Sequence, residues 1–596
     1  MDDDTNIQKI DLDKVDWRGS REFFESLGEA LDRLDDKDEA YDFTWVGKRK
    51  SIIEAGAPIN KTFRPDVEAS KNWDTTENLF IEGDNLDALK LLQESYLGKV
   101  KMIYIDPPYN TGKDFVYHDN FKANVGEYDE ATEYKDDAGN IQFKKNEKSN
   151  GRYHSDWLSM IYPRLKLARN LLRDDGAIFV SIDDNEQPNL RKLCDEIFGE
   201  DNFVAQLVWN TKEASKGVPP VKMITDIHEY ILVYQKADGF KFRGITRTTD
   251  AFSNPDNDPR GVWRKEAVVS TISKKTFEVI DPATGNRFDR AWAFSPESMD
   301  RMIREGRILF PKKPSGTPLQ KKFFDDYTND GVPIMSQLGT FQSRKATSDL
   351  MRLFDGKKLF DFPKPVELMK FLISQAAAKD DLVLDFFSGS GATAEAAMEL
   401  AGGGDSSCRW IMVQLPEKTD EKSEAHEAGY TTIAELARER IRRAGDKITS
   451  EHPDTNIDDG FRALTIADTN YREVYQPAGE LQQSALLEVV DNVKEDRSDL
   501  DLLYGVLTQS ALELNRPIEK REIAGSDVYL YDYFSEVSGL VGCFSEQVSE
   551  ETIKEIAKLK PLTAVFRDSS FADSQAKVNL AEHFRIISPE TKVKVI

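Results

Sequence analysis

The chain of 596 residues has only three cysteines, Cys194, Cys408 and Cys543, widely separated and without a Cys-x-x-Cys pair. Their scarcity excludes a disulfide framework and a cysteine zinc site, and no metal centre is expected. No run of about eighteen apolar residues occurs, and the amino terminus lacks the charged-then-apolar pattern of a secretion signal. A membrane span is therefore not expected, and the cytoplasm is the expected compartment. The pattern Gly-x-x-x-x-Gly-Lys-Ser/Thr is missing, so ATP-driven motor activity is not expected of this chain, and no nuclease motif is apparent. Positive charge is in deficit: 80 Lys and Arg face 106 Asp and Glu, a net charge of −26.

That deficit is uneven. Residues 201–360 hold 26 Lys and Arg against 20 Asp and Glu, a local balance of +6 that leaves −32 elsewhere. Pairs such as Lys312-Lys313, Lys321-Lys322, Arg344-Lys345 and Lys357-Lys358 recur there among aromatic residues. One such pair is what any solvated face carries. The regional bias is what points to a polyanion.

The densest chemistry lies in residues 78–121. Val100 to Ile105 is a continuous apolar run rich in β-branched and aromatic residues, which predicts a strand buried on both faces of a parallel sheet. It stops at Asp106-Pro107-Pro108-Tyr109, because two prolines cannot continue a central strand. Asp106, the Pro107 carbonyl and Tyr109 are thereby left at the carboxyl end of the strand, where open α/β sheets bind ligands. The carboxylate and the carbonyl are both acceptors for the hydrogens of an exocyclic amine, and Tyr109 offers a stacking face. The bare tetrapeptide reads equally as a strand-ending turn. Its extension through Asn110, Thr111, Gly112, Lys113, Asp114 and Phe115, with Tyr117 and Phe121, resembles the catalytic motif of amino-group DNA methyltransferases, in the form found in modification subunits of Type III restriction–modification systems.

A second landmark follows the basic region. Lys364-Pro365-Val366-Glu367 opens a helix, and Leu382 to Phe387 reads as a strand entering Asp385-Phe386-Phe387-Ser388-Gly389-Ser390-Gly391 and an alanine-rich helix. Strand, small-residue turn and helix amino terminus form a cradle whose NH groups can approach a ligand. A lone Gly-x-Gly is weak, but the strand Trp410 to Leu415 ends near Glu417, placed to accept ribose hydroxyls. This resembles the S-adenosylmethionine site of the same family. Asp84, after the strand Leu79 to Ile81, is either a helix cap or, by resemblance, a neighbour of the cofactor's adenine. The catalytic strand precedes the cofactor strand with the basic insertion between them, which is the order of the beta class of these enzymes.

The expected fold is α/β: a permuted Rossmann-like methyltransferase core with an inserted target-recognition domain and a small C-terminal α/β domain. Residues 1–75 are expected as an N-terminal helical region, on the spacing of Phe23, Leu27, Leu31 and Leu34, with Pro65 to Lys71 as a loop. Residues 76–200 form the catalytic half. Residues 201–360 supply the last core strand (226–236) and the target-recognition region, 361–450 the cofactor-binding half, and 451–596 a dimerisation or subunit-contact domain. That last domain is read as helices at 484–496 and 501–513, strands at 528–534, 540–544, 562–567 and 592–596, and a helix from Ser549. The polar stretch Asn124 to Asn150 suggests a flap beside the site, and Asp183 to Glu186 either caps a helix or lines the site.

The resemblance implies adenine-N6 methylation of double-stranded DNA with S-adenosylmethionine. Asp106, Pro107 and Tyr109 would be catalytic, and Asp84, Asp385, Phe387, Gly389, Gly391 and Glu417 would hold the cofactor. Phe115 and Tyr117 would join Tyr109 around the base, while Lys144, Lys145, Arg152, Lys312, Lys313, Arg344 and Lys345 would meet the DNA backbone. It also implies a homodimer and a separate restriction subunit supplying translocation and cleavage. Cytosine C5 chemistry is not expected, since it needs a nucleophilic cysteine and none of the three lies in a Pro-Cys loop or near these motifs. Cytosine N4 is the alternative for the same grip, although within the family an Asp at the first position favours adenine. RNA or a protein amide as substrate, or a chiefly DNA-recognising assembly subunit, are the other readings.

Overall fold

The computed structural model describes residues 43–112, 115–116, 144–145, 151–213, 223–272, 276–327, 331–404, 406–472, 493–534, 537–571 and 574–596. The chain divides into two compact units, Met1–Trp45 and Val46–Ile596, and the elements below lie in the second. The predicted helix around Phe23 to Leu34 and most of the predicted flap lie outside the described residues, as does most of the predicted helix at 484–496.

Ten strands form one sheet: β1 (Lys61–Lys71), β2 (Leu79–Glu82), β3 (Val100–Ile105), β4 (Leu172–Ile182), β5 (Phe203–Asn210), β6 (His228–Gln235), β7 (Gln337–Thr340), β8 (Leu382–Asp385), β9 (Arg409–Gln414) and β10 (Phe461–Asp468). Their spatial order is β1-β10-β2-β9-β8-β3-β4-β6-β5-β7. From β10 to β4 every neighbouring pair is parallel, whereas β6 runs antiparallel to both β4 and β5. The carboxyl ends of β2, β9, β8 and β3 therefore lie side by side.

Helices flank the parallel strands: α1 (Asn85–Tyr96) after β2, α2 (Tyr153–Leu171) before β4, α3 (Gln187–Phe198) after it, α4 (Val366–Ala376) before β8, α5 (Ala392–Gly402) after it, and α6 (Ile433–Glu451) after β9. Strand residues alternate between the two faces. Met102 and Tyr104 of β3, Val383 of β8 and Met412 of β9 join one core with Leu368, Leu372, Ala394, Ala397, Ala437 and Ile441 from α4, α5 and α6. Ile103 and Ile105 point the other way and are also fully buried. Burial of each large apolar side chain contributes roughly 1.5–3 kcal/mol. Past Lys101 the side chains of β3 are accordingly aliphatic or, in Tyr104, aromatic with the hydroxyl paired to Ser181 at 2.9 Å.

Two expectations need correction. Pro65 to Lys71 is part of β1 rather than a loop. Pro65 sits opposite Leu464 of β10, and a proline is tolerated because β1 is the outermost strand. A bulge follows, held by Asp66, which accepts from the Ala69 amide at 2.9 Å. The second concerns the core boundaries. β7 adds a strand beyond residue 236, and β10 brings residues 461–468, expected in the C-terminal domain, into the central sheet. Both β1 and β10 are long-range additions with no local motif of their own.

Residues 263–323 form a small module of two short sheets and one helix around Val268, Val279, Phe288, Trp292 and Met299. The C-terminal part is a five-stranded sheet, Ile518–Ile523, Ser526–Phe534, Val537–Cys543, Pro561–Phe566 and Lys592–Val595, with helices Glu550–Lys558 and Ser574–Ile587 on its core. It is joined to the central sheet by polar contacts: the Tyr96 hydroxyl donates to Asn515 at 2.8 Å and Arg462 donates to the Arg516 carbonyl at 2.7 Å. Among the described residues no helix is long and apolar enough to cross a membrane.

Candidate active site

The chain leaves β3 through a loop that is fixed from below. Asn110 is buried at φ +57, in the left-handed region that Asn enters more readily than most residues. Its side chain donates to Glu186 at 2.6 Å and to the Tyr153 carbonyl at 3.3 Å, while the Tyr153 hydroxyl donates back to the Asn110 carbonyl. The Trp157 indole donates to the Pro108 carbonyl at 2.7 Å. Glu186 is fully buried and also takes His154 at 2.6 Å and Asn189 at 2.7 Å. Of the two readings left open for Asp183 to Glu186, the structure assigns Glu186 to holding the loop; as N-cap of α3 it makes no side-chain cap bond.

With the loop held there, its functional groups stay available. The Asp106 carboxylate keeps 28 % of its side-chain surface, and the Pro107 carbonyl has no partner among the described residues. Lys364 approaches from the segment before α4. Its ammonium lies 3.1 Å from Asp106 Oδ1 and 2.8 Å from Glu229 Oε2, and it donates to the Tyr109 hydroxyl at 2.6 Å. Tyr109 in turn donates to Glu229 at 3.0 Å. The same ammonium stands 4.7 Å from the centre of the Tyr109 ring and 5.7 Å from that of Trp209. Burial pushes the Asp106 carboxyl above the usual range and Glu229 adds to this, while Lys364 pulls it down. Burial raises the Tyr109 phenol as well, so it stays neutral.

Lys364, Glu229 and Trp209 were not foreseen as site residues. Glu229 is the second residue of a strand, which in a parallel sheet would lie at the wrong edge. Because β6 is antiparallel, its start meets the carboxyl end of β4, with Tyr230 opposite Ile182. Lys364 carried one signal, its place immediately before Pro365 and a helix opening beside the glycine turn.

On the cofactor side, Asp385 ends β8 buried, accepting from the Phe387 amide at 3.1 Å and the Thr393 hydroxyl at 2.6 Å. Burial pushes its carboxyl up to about 7, against those two bonds. Asp385 thus shapes the turn from within. Gly389 and Gly391 adopt φ +52 and +82, and the Gly389 amide donates to Gln414 of β9 at 2.7 Å. A Cβ on Gly391 would stand 3.1 Å from Ile441. Ser388 has a buried hydroxyl with no hydrogen-bond partner among the described residues. Glu417, just past β9, has a carboxyl raised by burial and no side-chain partner among the described residues. Asp84 caps α1, accepting from the Leu86 amide at 2.8 Å, and lies 3.4 Å from the buried Arg164. Arg164 also donates to Asn85 at 2.5 Å, and Asn85 donates to the Phe386 carbonyl at 2.9 Å, which ties the two halves of the sheet edge together.

The other expected contacts are dispersed. Phe115 and Val116 pair with Lys145 and Lys144 in a short antiparallel ladder, and Tyr117 lies outside the described residues. Arg152 is the N-cap of α2. Lys312 and Lys313 are exposed beyond the strand Ile308–Leu309, and Arg344 and Lys345 are exposed in the first turn of the helix Ser343–Leu353. The three cysteines are buried, and among the described residues no cluster of three or more His, Cys, Asp or Glu is placed to hold a metal ion.

Residues 100–413, from the first residue of β3 almost to the end of β9, match the N6/N4 methyltransferase family model, described as DNA methylase. The StyLTI Mod subunit of a Type III restriction-modification enzyme from Salmonella typhimurium is 37% identical over 460 residues, 73% of this chain and 67% of that protein. The EcoP15I Mod subunit from Escherichia coli is 30% identical over 617 residues, 94% and 91%. The EcoPI Mod subunit from Escherichia phage P1 is 34% identical over 474 residues, 72% of each chain. With the Asp-Pro-Pro-Tyr loop and the glycine turn both inside the matched span, the chain belongs to the DNA methylases of the N6/N4 family and, among them, to the Mod subunits of Type III restriction–modification enzymes.

Proposed function

We propose that the chain methylates adenine N6 at a specific site in double-stranded DNA with S-adenosylmethionine, as the modification and recognition subunit of a Type III enzyme. The observation that carries this reading is the convergence, at one edge of four adjacent parallel strands, of the Asp106 and Pro107 acceptors with the glycine turn after β8 and Glu417 after β9. The residues present fit the cofactor: a buried Ser388 hydroxyl and a Glu417 carboxyl, both without a side-chain partner among the described residues, accompany a turn with little room for a side chain at Gly391.

The target base must leave the duplex, because its amine is otherwise paired. Tyr109 stacks on the extruded ring. Asp106 and the Pro107 carbonyl accept the two N6 hydrogens, which draws the nitrogen lone pair out of conjugation and aims it along one direction. Lys364 is a positioning residue: it favours the ionised form of Asp106 and fixes the Tyr109 hydroxyl against Glu229. S-adenosylmethionine supplies an electrophilic methyl group. Gly389 and Gly391 would let it approach the backbone, Glu417 would accept hydrogen bonds from its ribose hydroxyls, and Asp84 and Phe387 would hold its adenine. As the N–C bond forms, the methyl group's bond to sulfur would break, with sulfur keeping the electron pair. The nitrogen, now positively charged, has a proton to lose, and Asp106 is placed to take it. Lys312, Lys313, Arg344 and Lys345 serve the DNA backbone. The relatives are named as subunits, and we assign the C-terminal sheet to contacts with a second copy and with a restriction subunit, in the cytoplasm.

The test is long-read sequencing of genomic DNA from a methylation-deficient bacterial host expressing this chain alone, beside Asp106→Ala. N6-methyladenine in one short motif, absent with the variant, is the expected result. N4-methylcytosine, or no mark from wild-type protein that binds S-adenosylmethionine, would sink the adenine reading. Loss of specific DNA binding in Asp106→Ala, together with methylation, would make Asp106 structural.

A further inference from the structure

We propose that a cleft in the 263–323 module reads one amine-bearing base, adenine or cytosine, of the target duplex. The inference rests on the DNA-methylation reading above and names a residue set for its sequence specificity.

The cleft is built on one face of a three-stranded antiparallel sheet, Trp263–Ala267, Ile308–Leu309 and Leu319–Phe323. Residues paired across antiparallel strands share a face. Trp263 pairs with Phe323, Lys265 with Lys321 and Leu309 with Leu319, so these lie together. Ile308 points oppositely, into the module core with Phe288 and Trp292. The core thus occupies one face of the sheet. On the other, the loop at Pro255 and Asp256 and the segment from Phe310 to Thr317 enclose a cavity of about 440 Å³.

Its polar equipment is asymmetric. Asp256 accepts from the Trp263 indole at 2.9 Å and from Lys321, yet keeps 43 % of its side-chain surface. Those two donors hold its carboxyl below the usual range, so it is an ionised acceptor at neutral pH. Lys265, which also lines the cleft, is exposed, as are Lys312 and Lys313 just beyond Pro311. None of the three has a carboxylate partner among the described residues. By contrast Lys321, Arg260, Arg264 and Arg307 of the same sheet and its loops are each paired with a carboxylate. Unpaired ammonium groups beside an apolar cleft are complementary to a phosphate backbone with a base presented between.

A carboxylate accepts from the exocyclic amine of adenine or cytosine and repels guanine O6 and thymine O4, while a lysine donates to a purine N7. Leu309, Leu319 and Pro311 supply apolar contact to the base, while Phe310, also at the cleft, is stacked on Phe288 of the module core. The cleft therefore selects by one attractive acceptor and by repulsion of two bases.

The test is selection of bound duplexes from a random-sequence pool, with S-adenosylhomocysteine present, by wild-type protein, Lys265→Ala and Asp256→Asn. Lys265 is exposed and unpaired, so its variant tests the cleft without the folding burden that Asp256→Asn carries, and thermal melting is compared for both. Lys265→Ala is expected to weaken the cognate duplex by about 5- to 100-fold and relax one position of the consensus. Asp256→Asn is expected to admit guanine or thymine at that same position. An unchanged consensus in folded variants, or weakening spread evenly over all sequences, overturns the proposal. Because binding is read without methyl transfer, a wild-type protein that selects a consensus but leaves DNA unmodified would refute the methylation reading and leave the cleft to be judged on its variants.

Discussion

Lys364→Met isolates the role of a single buried charge. Methionine keeps the length and apolar contact of the side chain over Tyr109 and Trp209 while removing the ammonium that touches Asp106, Glu229 and the Tyr109 hydroxyl. At 3.1 Å and an effective permittivity near 20, the gross attraction between Lys364 and Asp106 is on the order of 5 kcal/mol, of which desolvation of the ammonium cancels a large part. Removing it leaves two neighbouring carboxylates, Asp106 and Glu229, without the cation they share, so one of them holds a proton more tightly. Transfer needs Asp106 ionised. The acid limb of the rate profile should therefore move to higher pH by at least about one unit, the lower end of what one opposite charge at ion-pair distance does to a carboxyl. The limb belongs to the pair rather than to either residue. At neutral pH kcat/KM should fall about 10- to 100-fold, with S-adenosylmethionine affinity within about two-fold of wild type. The assay is single-turnover transfer of a radiolabelled methyl group to duplex DNA between about pH 5.5 and 9, with cofactor affinity measured by calorimetry. Lys364→Arg keeps the charge and should restore the position of the limb even if the rate stays low. A limb in Lys364→Met that coincides with wild type would show that Lys364 only packs.

Gly391→Ala forces a Cβ to 3.1 Å from Ile441 at φ +82, a conformation that costs an L-residue roughly 1–2 kcal/mol; calorimetry should show about ten-fold weaker cofactor binding, and unchanged affinity would remove the turn from the site. Asp385 is a carboxyl with a folded-state value of about 7 against 3.8, so between those values the folded chain holds a proton that the unfolded chain does not. Its contribution is complete below about pH 4 and is lost as pH rises to 7, by roughly 2 kcal/mol between pH 5 and 7. Melting of ligand-free Asp385→Asn should accordingly show less loss of stability than wild type over that range, and parallel curves would contradict it. Trp157→Phe leaves the Pro108 carbonyl without its indole donor, which should cost about 1–3 kcal/mol in denaturant unfolding and lower kcat while cofactor affinity holds; an unchanged kcat would show that the loop is fixed without Trp157.

The order of chemistry along the chain was readable because it is local. A buried parallel strand must be apolar throughout, a Pro-Pro step must end it, and a glycine turn before an alanine-rich helix must approach a ligand closely. These rules placed β3, β8, Asp106, Tyr109 and the glycine turn in one kind of sheet, in the observed order. What the sequence could not display were partners set by strand direction and by distant neighbours. Glu229 reaches the site only because β6 runs antiparallel, and Lys364 only because α4 packs beside β3's end. Pro65, a strand-breaker by local chemistry, sits within β1 because that strand lies at the outer edge of the sheet. Glu186 read either as a helix cap or as a site-lining residue, and only the fold shows that it holds Asn110 through a buried hydrogen bond. Local propensity and motif determined which residues carry the reaction; the tertiary structure decided which charges surround them, because electrostatics depends on distance in space and not on separation along the chain.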